Sequence, residues 1–140
     1  MPLDLTSLRQ SIAALERAVL ASSPSPLFDT SPAEVRETLR AGTIQAFEVA
    51  YEQSWKMIKR WLEINFAPDA ADGITRRELY RRARESRLLD DIDLWMMFHE
   101  IRNLTSHTYN PETADEAWRA AIRFAPQAHA LLKRLESAND

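Results

Sequence analysis

Glycine is almost absent from this chain, and that scarcity constrains the fold more than any other feature. Gly42 and Gly73 are the only two among 140 residues. Strands joined by tight hairpins rely on residues that tolerate positive φ, glycine above all, so a β-rich architecture has almost nothing to turn on. An all-α fold is expected instead. The apolar spacing agrees, because Leu5, Leu8, Ile12, Leu15 and Val19 recur at three- and four-residue steps along a first helix capped by Asp4 or Thr6.

The rest of the chain follows the same period. Residues 21–30 break it with prolines and small polar residues and are expected as a loop, too short to separate domains. Ser31-Pro32-Ala33-Glu34 has the form of a helix start, with the helix pausing at Gly42. Beyond it, Phe47, Tyr51, Ser54, Trp55, Ile58, Trp61 and Leu62 form one aromatic stripe, with Lys56, Lys59, Arg60 and Glu63 off it. Such a stripe is expected to face the core. Pro68 to Gly73 predicts a turn, and Thr75-Arg76-Arg77-Glu78 a capping box stapled by Ile74 and Leu79.

Asp90 or Asp91 should cap a helix whose Leu94, Trp95, Met97, Phe98, Ile101 and Leu104 cover more than half its circumference, making it the most buried of the set. A last helix is expected from Asn110-Pro111 onward, with Ala114, Trp118, Ala121, Ala125, Ala128, Leu132 and Leu135 as its seam. Pro126 should bend it, and residues 137–140 should fray. The whole is one domain, 1–140, since this length supports one core and not two.

Composition removes several function classes. Eighteen basic against twenty-one acidic residues leave a net charge of −3, so any nucleic-acid binding must come from a local patch. Having no cysteine excludes disulfides, thiolate metal sites and cysteine nucleophiles. No apolar run approaches the roughly 18 residues of a membrane span. The start has no basic segment leading into an apolar stretch, so a cytoplasmic location is expected, with no membrane contact.

Two segments carry chemistry. Between residues 76 and 87 lie six arginines (Arg76, Arg77, Arg81, Arg82, Arg84 and Arg87) against Glu78 and Glu85, a local charge of +4. They suit a phosphate backbone, or they pair with the acids of the next segment, Asp90, Asp91, Asp93 and Glu100. The second is the octet Arg102-Asn103-Leu104-Thr105-Ser106-His107-Thr108-Tyr109, with His99 and Glu100 just before it as possible support. No metal is expected there, because His99 and His107 lack the spacing of paired ligands. Nucleophile-elbow and phosphate-loop patterns are missing as well. An arginine that binds phosphate bidentately and a histidine that moves a proton near neutral pH remain, a pair suited to phosphate chemistry. A salt bridge and a helix cap would account for the same residues without any function.

The octet resembles the Arg-Asn-x-x-x-His-x-Tyr motif of HEPN domains, in particular the nucleotidyltransferase substrate-binding branch that partners minimal (MNT-type) nucleotidyltransferases. Phe47-Glu48-x2-Tyr51-Glu52-x2-Trp55-Lys56 resembles a second block of that branch, and the similarity covers about residues 5–136. The resemblance implies an antiparallel up-and-down helical bundle of about five helices with a four-helix-bundle core. It also implies a homodimer in which the Arg/His turns share a cleft. It further implies a toxin–antitoxin pair, in which this subunit is a metal-independent RNase needing no cofactor and is silenced by AMP transfer to its tyrosine.

Carried over, Arg102 would stabilise the phosphorane, His107 would act as acid or base, Asn103 would orient the turn and Tyr109 would accept AMP. Charge added at Tyr109 would repel RNA. One position departs from the pattern: Ile101 stands where many relatives place an acid, so, if that acid aids catalysis, weak activity is expected unless Glu100 or Asp93 substitutes. The alternative function is a non-catalytic subunit that binds nucleotide or substrate for the transferase. A purely structural dimer is the third reading, supported by the apolar stripes alone.

Overall fold

The computed structural model describes residues 2–107 and 110–139, the side chain of His107 excepted. Among them are six helices and no strand: α1 (Thr6–Ser22), α2 (Pro26–Thr30), α3 (Ala33–Asn65), α4 (Arg76–Glu85), α5 (Ile92–His107) and α6 (Pro111–Ala138). The expected all-α bundle is therefore present, with six helices rather than about five. The extra one is α2, in the stretch expected as loop: the Ser25 side chain accepts from Phe28 N at 3.1 Å and Pro26 occupies the first turn. Five residues are too few to show a helical period, and only the cap reveals them.

Four helices form the bundle in up-and-down order, and α4 adds Leu79, Tyr80 and Ala83 to its core. Ser22 at the end of α1 meets Thr43 early in α3 at 2.8 Å and Trp118 early in α6 at 2.9 Å, while Arg9 reaches Glu136 near the end of α6. So α1 runs against both. Phe98 and Trp95 of α5 pack on Phe124 of α6 while Asp90 pairs with Arg134, so α5 runs against α6. At 33 residues α3 spans roughly 50 Å and passes through Gly42 without a break. It starts at Ala33, with Ser31 closing α2 instead of capping α3.

Phe124 is the hub of the core. Phe47, Tyr51, Trp95 and Phe98 surround it at centroid distances of 5.4, 5.9, 5.3 and 4.9 Å, all near edge-to-face. Each such pair adds roughly 0.5–1.5 kcal/mol beyond its burial. Alanines 117, 120, 121, 125 and 128 of α6 are buried beside it and let the helices approach. Pro126 lies on the exposed side of a helix that continues through it to Ala138.

Helix starts follow the expected caps at three places: Thr75 accepts from Glu78 N, Asp91 from Leu94 N and Asn110 from Thr113 N. Asp90 instead pairs with Arg134. Two further expectations fail. The end of the chain does not fray, because Ser137 and Ala138 belong to α6 and Asn139 exchanges hydrogen bonds with Leu3 at 2.7 and 3.0 Å; Asp140 lies outside the described residues. Nor is α5 the most enclosed helix: Trp95 and Phe98 are buried, but Leu94, Met97 and Ile101 are half-buried and Leu104 is exposed. Its apolar circumference exceeds what the bundle covers. Among the described residues no helix is long and apolar enough to cross a membrane.

Candidate functional site

The site lies where the last turns of α5 cross the middle of α3. Residues 48, 52 and 102, 105, 106 are spaced at three and four on their helices, so each set presents one face to the other. Arg102 Nη1 forms an ion pair with Glu48 Oε2 at 3.0 Å, and Nε lies 3.6 Å from Glu52 Oε1. Nη1 also donates to the Ser106 hydroxyl. Thr105 Oγ1 donates to the same Glu48 oxygen at 3.0 Å, fixing the carboxylate from a second direction. Arg102 is about one-quarter exposed, and Nη2 has no hydrogen-bond partner among the described residues.

A recess of about 310 Å³ opens in front of this cluster, lined by Gln45, Glu48, Val49, Glu52, Gln53 and Arg102. One guanidinium thus faces two carboxylates at the edge of solvent. Another recess, of about 470 Å³, lies between α3 and the start of α6. Its single cation, Arg40, is stacked over Trp118 at 4.2 Å and Phe28 at 5.3 Å, so it offers less to a ligand.

A second polar network adjoins Arg102 on the α4 side. Arg76 lies flat on Trp55, 3.8 Å from the ring centroid, and donates to Tyr51 Oη at 3.0 Å. The Tyr51 hydroxyl is hydrogen-bonded in turn to that of Tyr80, and both rings are fully buried. Burial pushes both phenols above their ordinary pKa, Tyr80 well above it, so they stay neutral donors and acceptors.

His99 Nδ1 lies 3.3 Å from Arg76 Nη1, which can only donate. Nδ1 is therefore the acceptor and Nε2 carries the ring hydrogen. The Asn103 amide sits 3.3 Å from Nε2, and this tautomer selects the amide orientation whose oxygen accepts. Burial, then the Arg76 charge, hold His99 below its ordinary pKa, which keeps that tautomer neutral.

The other sequence candidates are dispersed. Arg77 pairs with Asp93 at 3.0 Å on the surface, and Arg81 bridges Glu78 and Glu85. Arg84 is exposed, near Asp90. Four of the α4 arginines (76, 77, 81 and 82) are thus engaged within the fold, Arg82 with Glu78 and the Ala70 carbonyl. Glu100 is exposed. His107 closes α5, but its side chain, like all of Tyr109, lies outside the described residues. Among the described residues no three His, Asp or Glu side chains form a group that could hold a metal.

The acids of the site come from α3, about fifty residues from Arg102 in sequence. Glu48 and Glu52 stand within the Phe47-to-Lys56 block, and their four-residue spacing was the signal that could have found them.

This helical bundle is the fold of a nucleotidyltransferase substrate-binding protein. The chain belongs to that family: the model described as nucleotidyltransferase substrate binding protein like matches residues 3–137. A Haemophilus influenzae protein named "Probable ribonuclease HepT" is 36% identical over 140 residues, 98% of this chain and 94% of its own. A solved Haemophilus influenzae structure, described as revealing the fold of a substrate binding domain of a nucleotidyltransferase, superposes with a TM-score of 0.89. It is 34% identical and covers 95% of this chain and 99% of its own. A Thermus thermophilus structure follows at TM-score 0.71 and 28% identity, over 91% and 98%.

Proposed function

We propose that this chain is the HEPN subunit of a pair with a minimal nucleotidyltransferase, and that it is a metal-independent endoribonuclease toxin silenced by AMP transfer to Tyr109. The observation that carries the reading is Arg102: a guanidinium braced by Glu48, Glu52 and Ser106 at the rim of an open recess, whose Nη2, without a hydrogen-bond partner among the described residues, would meet a phosphate oxygen. A relative named as a ribonuclease supports it.

In the proposed reaction the RNA 2′-hydroxyl loses its proton to a base and attacks the adjacent phosphorus. The bond to the 5′-oxygen breaks, and that oxygen takes up a proton, leaving a 2′,3′-cyclic phosphate and a 5′-hydroxyl. Arg102 stabilises the charge on the phosphorane oxygens and His107 carries the proton. Glu48 and Glu52 take the bracing place of the acid that Ile101 replaces. The half-covered strip Leu94, Met97, Ile101 and Leu104, on the helix that carries Arg102, supports a homodimer that brings two such turns together.

Incubating the purified chain with RNA in the presence of chelator tests this, beside Arg102→Ala and His107→Ala. Cleavage by the wild type and a loss of about 10²–10³-fold in either variant is expected. Equal cleavage by all three would reject the assigned roles.

The second reading, a non-catalytic subunit that presents nucleotide or substrate to the transferase, is favoured by the two carboxylates that outnumber Arg102. The transferase with ATP separates the two. AMP on the wild type but not on Tyr109→Phe, found by mass spectrometry, supports silencing by modification, whereas AMP passed to a third molecule supports presentation.

A further inference from the structure

The ribonuclease reading leaves an electrostatic difficulty. Glu48 and Glu52 outnumber Arg102 at the recess, and the chain as a whole is acidic. A polyanion would have to be drawn in by charge elsewhere on the same surface. Most of the α4 arginines are poor candidates, because Arg77, Arg81 and Arg82 are paired with carboxylates and Arg76 is stacked on Trp55, which leaves Arg84 alone, exposed near Asp90 at the end of the helix.

The face of α3 supplies what α4 does not. Glu48, Glu52, Lys56, Lys59 and Glu63 follow at steps of four, four, three and four, so they line one face of the helix, with Gln53 and Arg60 on its flank. Beside the Arg102 recess along this face lies another, of about 490 Å³, whose walls include Trp55, Lys56, Lys59 and Arg60. Gln53 lines both, so the two adjoin.

Lys56 and Arg60 are exposed and Lys59 half-buried, and none of the three forms an ion pair with a described residue. Asp4 and Glu63 also line this groove, leaving it with three cations against two acids. Lys56 lies one turn beyond Glu52, and Lys59 and Arg60 one turn further, at roughly 6 and 11 Å along the axis. That is the scale of successive phosphates on an extended strand.

We propose that this face of α3, from Gln53 to Arg60, is the track for the sugar-phosphate backbone of a single-stranded RNA whose scissile phosphate sits at Arg102. The proposal rests on the ribonuclease reading and names how its substrate is held. Cations with no ion-pair partner among the described residues, in a groove that adjoins the site, match a continuous polyanion. An acidic face of the partner transferase would need the same charge but not its place beside Arg102.

The test uses the full chain, a fluorescent single-stranded RNA, and the variants Lys59→Glu/Arg60→Glu and Lys59→Gln/Arg60→Gln. Binding is followed by anisotropy at rising KCl and cleavage by KM and kcat, with the circular-dichroism melt checking the fold. We expect at least tenfold weaker binding for the Glu pair and less for the Gln pair. The slope of log Kd against log salt should fall by about 1.4 as two phosphate contacts are lost, and the cleavage defect should fall on KM. Wild-type cleavage with an unchanged slope and KM in both variants would overturn the track while leaving the ribonuclease reading intact. Variants that keep RNA affinity but lose the transferase would overturn it in favour of a protein partner. A wild type that binds RNA through these residues but never cleaves would overturn the ribonuclease reading and leave the track standing as an RNA-binding surface.

Discussion

Arg76 and Arg102 approach the same stretch of α3 from neighbouring helices, and they meet opposite surroundings there. Arg76 is enclosed by neutral groups: the Trp55 ring under its plane, the Tyr51 hydroxyl and the His99 ring nitrogen at its edge. Arg102 meets Glu48 and Glu52 beside an open recess. A guanidinium held by stacking and buried phenols has no partner that a ligand could replace without opening the core. One held by half-exposed carboxylates can turn an edge to another anion at small cost. The difference separates an arginine locked into the scaffold from one left open to a ligand, although both stand in polar stretches of the sequence.

The sharpest way to break this comparison is to truncate each arginine and measure stability beside cleavage. Arg102→Ala should cost cleavage about 10²–10³-fold, or roughly 3–4 kcal/mol of transition-state stabilisation, while lowering the unfolding free energy measured in urea by less than about 1 kcal/mol. Arg76→Ala should do the reverse to the fold, lowering stability by about 2 kcal/mol because the buried Tyr51–Tyr80 pair loses its donor and Trp55 its stacked cation. Arg76→Lys should recover only part of that, since an ammonium cannot lie flat on the indole while reaching two acceptors. Equal losses of stability from both truncations would dissolve the distinction.

The bundle was largely legible because its signals are local. Scarce glycine, three- and four-residue apolar steps, and caps at Thr75, Asp91 and Asn110 each act within a few residues. What escaped depends on distance or on brevity. The α2 turn is too short for a period, and the tie between Leu3 and Asn139 joins opposite ends of the chain. The α5 pattern shows which residues are apolar but not how much of the helix its neighbours can cover.

Within the site, Arg102 and Asn103 stood out as a dense polar turn, but the glutamates that brace Arg102 come from another helix. Arg76, counted by sequence among phosphate-binding candidates, is stacked on an indole that no local pattern assigns to it. Phe124 escaped for a related reason: the seam of small residues drew attention to one edge of α6, and the hub lies beside it.

His99 joins Arg76 of α4 to Asn103 of the motif turn, and pH should reveal it. Its folded pKa is below the ordinary value because burial and Arg76 disfavour the imidazolium. Between the folded and unfolded pKa the unfolded chain therefore binds more protons, so stability rises with pH across that window. The contribution is complete above the unfolded value near 6.5 and is lost as pH falls through the folded one. In His99→Gln, whose amide can still bond Arg76 and Asn103, the drop in urea midpoint on acidification below that value should be shallower than in the wild type. An identical pH profile in the two proteins would mean that His99 is not the link.

The finest test concerns how firmly the Arg102 cluster is held. Thr105 Oγ1 donates both to Glu48 and to the Arg102 carbonyl, so it shares its hydrogen between a local and a cross-helix acceptor. Thr105→Val keeps the shape and the β-branch but removes the donor. Because Glu48 is part-exposed, water can replace the lost bond, and stability should change by no more than about 0.5–1 kcal/mol. Cleavage should drop more than that figure implies, since a carboxylate fixed from one side only lets the guanidinium wander from the recess. If cleavage were unaltered, Glu48 alone would suffice to aim Arg102, and the carboxylate cradle would be as rigid as the aromatic one around Arg76.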